Sequence, residues 1–225
     1  MSGSEAPVVA IDGPSASGKG TVSRRVAAAL GFHFLDSGAL YRLVALAALT
    51  RGVDLGQPAM LAGIARTLDA DFRGEALWLD GREVTDAIRE ERMSGAASRV
   101  AAVPAVRTAL LQRQRAFRRH PGLVADGRDM GSVVFPDAVL KIYLTADPAE
   151  RARRRYNQLI EKGMGANMSA LLQEIRERDE RDSSRPAAPL QKCPDAIELD
   201  TTSLSIEAAV AEVVALYNRR AAMAP

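Results

Sequence analysis

The sequence predicts an α/β protein built on a parallel β-sheet flanked by helices. Three observations predict it. Short apolar runs alternate with longer stretches of helical periodicity along most of the chain. A glycine-rich turn joins the first run to the first helical stretch. Asp36 and Asp126 fall where two further runs end, and ligands of such sheets bind beyond the C-terminal strand ends.

Residues 7–12 (PVVAID) form an apolar run that reads as a buried strand ending at Gly13. The helix expected over 20–30 carries Val22, Val26, Ala29 and Leu30 at helical spacing, and Gly31 is placed to stop it. Residues 32–35 read as a second strand. Ser37 is expected to cap a helix over 39–50, closed by Gly52. Further strands are expected at 123–127, 139–144 and 196–200, and a helix around 100–109. The last helix should begin near Ser205, with Ile206, Val210, Val213, Val214 and Tyr217 on one face.

Two stretches interrupt this rhythm within one domain spanning 1–225. Residues 71–84 alternate in polarity and contain Asp80-Gly81, a hairpin signal. With flanking helical segments they read as an insertion over about 62–102. Residues 151–185 hold eight arginines and one lysine against six acids. Lys162-Gly163-Met164-Gly165 breaks their helical pattern, so the stretch reads as an arginine-rich helical lid with a glycine hinge.

Composition narrows the function classes. The chain has 225 residues, 47% hydrophobic and 26% charged, which excludes a disordered polymer and allows a full core without staples. Net charge is +2, too even for a bulk-electrostatic nucleic-acid binder. Aromatics make up 4%, few for stacking single strands. The basic run Arg113, Arg115, Arg118 and Arg119 reads as a solvated helix face. One cysteine, Cys193, permits no intrachain disulfide, and His33 and His120 leave little for a metal site. The longest apolar run, 43–49, is too short to span a membrane, and residues 1–7 do not read as a signal peptide. The expectation is a soluble, cytoplasmic monomer with no nucleic-acid or membrane partner.

The strongest motif is Gly13-Pro14-Ser15-Ala16-Ser17-Gly18-Lys19-Gly20-Thr21. It matches G-x-x-x-x-G-K between a strand and a helix. Glycines let backbone N–H groups turn inward as an anion nest, and the helix N-terminus adds its positive end. Lys19 brings a full charge to β- and γ-phosphates. The residue after the lysine is Gly20 rather than Ser or Thr, and Thr21 comes one later, so its hydroxyl suits phosphate better than a direct metal bond. Asp126, closing an apolar strand, is placed to hold Mg²⁺, directly or through water.

With this loop, the chain resembles the nucleoside monophosphate kinases, whose phosphate loops read G-K-G-T. The segments IDGPSASGKGT, LDSGALYR, ADGRDMGSVVFPDA and RERDERD, followed by Arg185 and APL, resemble the bacterial cytidylate kinases from about residue 8 to 206. That resemblance implies a P-loop NTPase-type sheet, an inserted monophosphate-binding subdomain and a lid. It implies transfer of the ATP γ-phosphate to CMP or dCMP with Mg²⁺ as cofactor. It assigns Arg42, Arg128 and Arg185, beside Lys19, to the phosphates in transfer. It makes Ser37, Arg42, Ser98, Arg107, Arg128, Asp129, Arg178, Asp182 and Arg185 ligands of CMP, with Asp126 and Thr21 near the metal. Taken alone, Ser37 is most simply a helix cap and Arg42 a solvated arginine, while Arg178, Asp182 and Arg185, at i, i+4 and i+7, share one helix face on which Arg178 pairs with Asp182. Arg151, Arg154 and Arg155 begin the lid and are candidates for the ATP phosphates. A small-molecule kinase of shikimate type shares such a core but would not need the hairpin around Trp78 or the arginine arm. A nucleotide switch would carry N/T-K-x-D, which is absent.

Overall fold

In the computed structural model, which describes residues 5–74, 76–161 and 163–222, the elements follow in the order β1 (Val8–Asp12), α1 (Lys19–Leu30), β2 (His33–Asp36), α2 (Ser37–Thr50), α3 (Pro58–Arg66), β3 (Ala70–Arg73), β4 (Ala76–Leu79) and β5 (Arg82–Glu83). After a 3-10 turn come α4 (Glu91–Ala101), α5 (Pro104–Arg115), β6 (Leu123–Gly127), a π-helical turn (Met130–Val134), β7 (Leu140–Thr145), α6 (Pro148–Glu161), α7 (Met168–Ser184), β8 (Ile197–Asp200) and α8 (Ile206–Ala222). The chain divides into two compact units, one made of residues up to Leu35 and from Ala116 onward, the other of Asp36–Arg115.

The first unit is organised by a five-stranded sheet in the order β2-β6-β1-β7-β8. β1 is buried at every position and pairs in parallel with both β6 and β7. A strand covered on both faces cannot alternate in polarity, which is why its sequence is a continuous apolar run. The register sets Asp12 beside Gly127 on one side and Tyr143 on the other, so β1 and β6 end together and β7 runs two residues further. The core joins Val9, Ile11, Val124 and Ile142 of the sheet to Val22 and Val26 of α1 and Ala209 and Val213 of α8. Gly31, at φ 66°, closes α1 with its N–H on the carbonyls of the last turn.

α6 and α7 form a helical pair around Ala152, Leu159, Leu171 and Ile175, against which Ala16 also packs. The break between them includes Gly163 at φ 72°; the Lys162 of the expected hinge lies outside the described residues. Asn167 caps α7, its side chain accepting from the Ala170 N–H at 3.0 Å.

In the second unit α2 packs on α4 and α3 on α5. The expected hairpin is a three-stranded antiparallel sheet, β3-β4-β5. Its Asp80-Gly81 turn has both residues at positive φ, 49° and 74°, as a two-residue hairpin requires. The expected insertion, 62–102, lies inside this unit.

Four local expectations are corrected. Asp36, not Ser37, caps α2, its carboxylate accepting from the Ala39 N–H at 3.0 Å, so the helix starts two residues early. The helix expected at 100–109 is two helices, because Pro104 starts a new one and disfavours helical backbone before it. Ile206 is 39% exposed, being the first residue of α8, ahead of the turns that pack. Arg185 is the cap residue beyond α7, at φ −63° and ψ 141°, and not on its helical face.

Candidate phosphate-transfer site

The phosphate loop leaves β1 through Gly13, where the chain passes so close to β7 that a Cβ would overlap the Leu144 carbonyl oxygen. Ala16 at φ 55° and Gly18 at φ 89° then take the left-handed turns that make a nest of backbone amides. The loop's carbonyls are tied down from several directions. Pro14 O accepts from Ser17 Oγ at 3.0 Å and from Lys19 Nζ at 2.9 Å. Ser15 O accepts from Arg151 Nη1 at 3.1 Å. Ser17 O accepts from Thr201 Oγ1 at 3.1 Å and Arg154 Nη1 at 3.3 Å. The positive φ angles of Ala16 and Gly18 suit a nest of backbone N–H groups, to which the N-terminus of α1 adds its partial positive charge.

Lys19 is buried, and its ammonium pKa is lowered to about 7. Burial is the main cause, with Arg128 and Arg178 adding repulsion and Asp126 and Asp182 opposing it. The lysine is therefore poised for a ligand that brings several negative charges. Asp126, buried at the end of β6, faces the first turn of α1: a Cβ on Gly20 would stand 3.3 Å from its Oδ2. This crowding gives a physical reason for glycine where the motif usually has Ser or Thr. Thr21 is exposed one position later.

Arg128 and Asp129 follow on the loop after β6. Arg128 Nε donates to Asp182 Oδ2 at 2.9 Å, and Arg178 stands 3.9 Å from the same oxygen. The expected Arg178–Asp182 pair is thus secondary to one with Arg128. Burial alone would lift the Asp182 pKa, but Arg128 and Arg178 hold it below the ordinary carboxylate range. Burial pulls the Arg128 pKa down, but the carboxylates of Asp182, Asp126 and Asp179 together raise it above its ordinary value, so both stay charged. Asp129 is buried. Arg185 is buried, and its Nε donates to Ala188 O at 2.5 Å.

The three candidate arginines of α6 differ. Arg151 is buried, spans Ala146 O and Ser15 O, and holds Asp179 through both oxygens at 3.1 and 2.5 Å. Arg154 reaches Ser17 O and the Thr201 hydroxyl and carbonyl, close beside Gly18. Arg155 donates to Gln158. A cleft of about 740 Å³, bordered by Gly18, Lys19, Thr21, Arg154, Arg155 and Ser203, opens beside the phosphate loop, a size typical of cofactor pockets.

Within the second unit, Arg42 Nη2 pairs with Asp36 Oδ2 at 2.7 Å, and Ser37 is buried. Arg107 stands 5.6 Å from the centre of the Tyr41 ring and donates to Ala101 O. Ser98 is buried on α4. Arg113 of the basic run is engaged by Leu68 O and Ala70 O. Arg118, in the first unit, binds Ala6 O and Asp137.

Three residues of the first site escape a reading of the sequence. Thr201 and Asp179 meet the phosphate loop or its arginine only through the fold. Asp12 accepts from the N–H groups of Met130 and Gly131, both at 2.8 Å. Its one sequence signal is an acid closing a run otherwise apolar from Val8.

The cytidylate kinase family model matches residues 9–219. A cytidylate kinase of Nitrosomonas eutropha is 59% identical over 211 residues, covering 94% of each chain. One from Pseudomonas aeruginosa UCBPP-PA14 is 60% identical over 214 residues, covering 92% of this chain and 93% of its own. Among solved structures, a gluconokinase from Sinorhizobium meliloti 1021 is a distant likeness, with TM-score 0.47 and 17% identity over 95% of this chain and 92% of its own. The family match runs through the phosphate loop, the Arg128 loop, α6 and α7, and the chain belongs to the cytidylate kinase family.

Proposed function

We propose that this protein transfers the γ-phosphoryl group of ATP to CMP or dCMP, giving ADP and CDP or dCDP. The observation that carries the reading is the buried Lys19 within a nest at the C-terminal end of β1, facing the charges of Arg128, Arg178, Asp126 and Asp182. The family supports the acceptor.

ATP binds with its phosphates along Gly13–Thr21, where loop amides and Lys19 take the β- and γ-oxygens. Its base lies toward the cleft bordered by Arg154 and Arg155. A nucleotide monophosphate is largely dianionic at pH 7, its second pKa being ~6, so it attacks without a general base. Positioning and charge neutralisation then lower the barrier. Arg128 and Arg185 stand against the acceptor phosphate, with Arg178 beside them, and Arg42 is assigned to the same phosphate. Asp129, Ser98 and Arg107 read the cytosine edge, and Asp182 the sugar hydroxyls. Ser37 contributes its buried hydroxyl to the monophosphate. The region 62–102 serves as the monophosphate-binding insertion, and 151–185 closes over the phosphates and excludes water.

Mg²⁺ fits the donor set. Among the described residues no group of three or more His, Cys, Asp or Glu could hold a metal, but Mg²⁺ needs only one or two carboxylates beside phosphate oxygens and water. Asp126, a buried carboxylate facing the first turn of α1, would hold it, with the exposed Thr21 hydroxyl reached through water. Bound there, Mg²⁺ would neutralise charge on the phosphates in transfer. The protein works as a cytoplasmic monomer in this reading, without nucleic-acid or membrane partners. Engagement of Arg113 and Arg118 by carbonyls and Asp137 supports the first absence.

The test is ADP formation from Mg-ATP with CMP, dCMP, UMP, AMP and GMP as separate acceptors, with Lys19→Ala as control. Turnover should be strongest with CMP and dCMP. Equal or stronger turnover with AMP or GMP would overturn the base assignment, and turnover unchanged in Lys19→Ala the site itself.

A further inference from the structure

The carboxylate of Asp12 is a buried group that the mechanism above does not use. It ends the central strand, 5% exposed, and each oxygen accepts one backbone N–H at 2.8 Å, Met130 on Oδ1 and Gly131 on Oδ2. Among the described residues no ion pair accompanies it: Lys141, close by, is paired instead with Asp195 at 2.8 Å. The other charges facing Asp12 are the carboxylates of Asp126 and Asp129, and Cys193 lies close by. A carboxylate in such company is retained at a cost, because burial and two like charges oppose its ionisation. The amides of Met130 and Gly131 compensate it.

Those amides open the π-helical turn of Met130–Val134, and the two residues just before it are Arg128 and Asp129. Gly127 is held on the other side by its strand register with Asp12 itself. The short span carrying Arg128 and Asp129 is therefore fixed at both ends by one residue, by ladder pairing before and by carboxylate bonds after. Glycine at 131 makes this possible: a Cβ there would stand 3.1 Å from Lys141 Cγ and Cδ and 3.5 Å from Asp12 Oδ2.

We infer that Asp12 is a positioning residue for the acceptor nucleotide, its carboxylate bonds to Met130 and Gly131 holding the Arg128–Asp129 span in the geometry that binds the monophosphate. This rests on the acceptor roles proposed above for Arg128 and Asp129. The residue touches no substrate in this account. It acts through backbone.

The experiment compares Asp12→Asn and Gly131→Ala with the unsubstituted protein. Asparagine keeps the shape but turns an NH₂ toward one amide, losing that bond and leaving the other as a neutral one. Alanine leaves the carboxylate and displaces the Gly131 N–H. Both should raise KM for CMP about tenfold, the scale of one buried bond to a charged group, with KM for Mg-ATP within about twofold. Amide exchange measured by NMR should quicken at least about tenfold at Met130 and Gly131, with Val9 and Ile11 of β1 unchanged. A purely structural role predicts equal losses for both substrates and faster exchange along β1, and that pattern overturns the inference. So does an unchanged KM for CMP in two folded variants. If the unsubstituted protein shows no CMP-dependent turnover, the proposed function fails; exchange then decides the positioning alone, and unchanged protection at Met130 and Gly131 overturns it.

Discussion

Binding of the triphosphate should draw a proton from solution, and Lys19 supplies the magnitude. Its ammonium pKa in the free protein is about 7 against an ordinary 10.5. At pH 8 a group with that pKa is ~10% protonated. A polyanion placed against it favours the charged form and returns the pKa toward its ordinary value. Saturation with Mg-ATP at pH 8 should then take up ~0.9 proton per site, and at pH 6, where Lys19 is already charged, only ~0.1. The bound state holds more protons, so ATP affinity falls as pH rises above about 7, by up to about tenfold per unit. Stability of the free protein moves the other way. The folded pKa is depressed, so the unfolded chain binds more protons between about 7 and 10.5, and the lysine's penalty is relieved as pH rises through that window. Calorimetric titration with Mg-ATP, without acceptor, in buffers of different ionisation enthalpy measures the uptake. Less than ~0.2 proton at pH 8, or the same uptake in Lys19→Met, would refute the assignment of the shift to Lys19.

Three further outcomes follow from the geometry. Asp182→Asn leaves Arg128 without its partner in a buried site, which should cost about 3 kcal/mol and lower Tm by ~6–12 °C. Because the Asp182 pKa is depressed below 3.8, its contribution is present above the ordinary carboxylate range and lost as pH falls below it, so melting curves of the two proteins should converge in acid. Gly13→Ala places a methyl on the Leu144 carbonyl of the adjacent strand; backbone cannot yield as a side chain does, so the expected loss is above about 3 kcal/mol, read as a Tm drop or as insoluble protein. With the acceptor role proposed for Arg42, Arg42→Ala should raise KM for CMP by about tenfold or more while leaving KM for ATP near its original value, because a guanidinium bond to a charged group is worth about 1.5–3 kcal/mol. Steady-state kinetics with each substrate varied checks it.

The parts of the fold and site legible in the sequence are those whose physics is local. The phosphate loop is one: Gly13 and Gly18 are needed by backbone conformation, and the lysine adjoins them in the chain. The turn at Asp80-Gly81 is another, since both residues must take positive φ. The buried strands read well because burial on both faces leaves no polar alternation to confuse. Near misses came where two local rules competed. Asp36 and Ser37 are both good caps, and the fold uses the first. Pro104 carried the signal that splits the helix around it.

What stayed hidden is joined only by register and docking. Asp12 and Met130 are 118 residues apart, and Thr201 and Ser17 are 184 apart. No spacing rule reaches those distances. The arginine arm shows a subtler limit. Counting charges in 151–185 suggests a reservoir of free cations, yet Arg151 is committed to Asp179 and two carbonyls, and Arg153 and Arg154 both bond to Glu150. Pairing at i,i+3 and i,i+4 on α6 is visible in the sequence; the long reach of Arg151 and Arg154 to the phosphate-loop carbonyls is not. Those two side chains hold the carbonyls of Ser15 and Ser17. An arginine that binds a carbonyl of the loop still acts on a bound phosphate, because it fixes which way the neighbouring amides point, and a fixed dipole needs no reorganisation when charge develops against it.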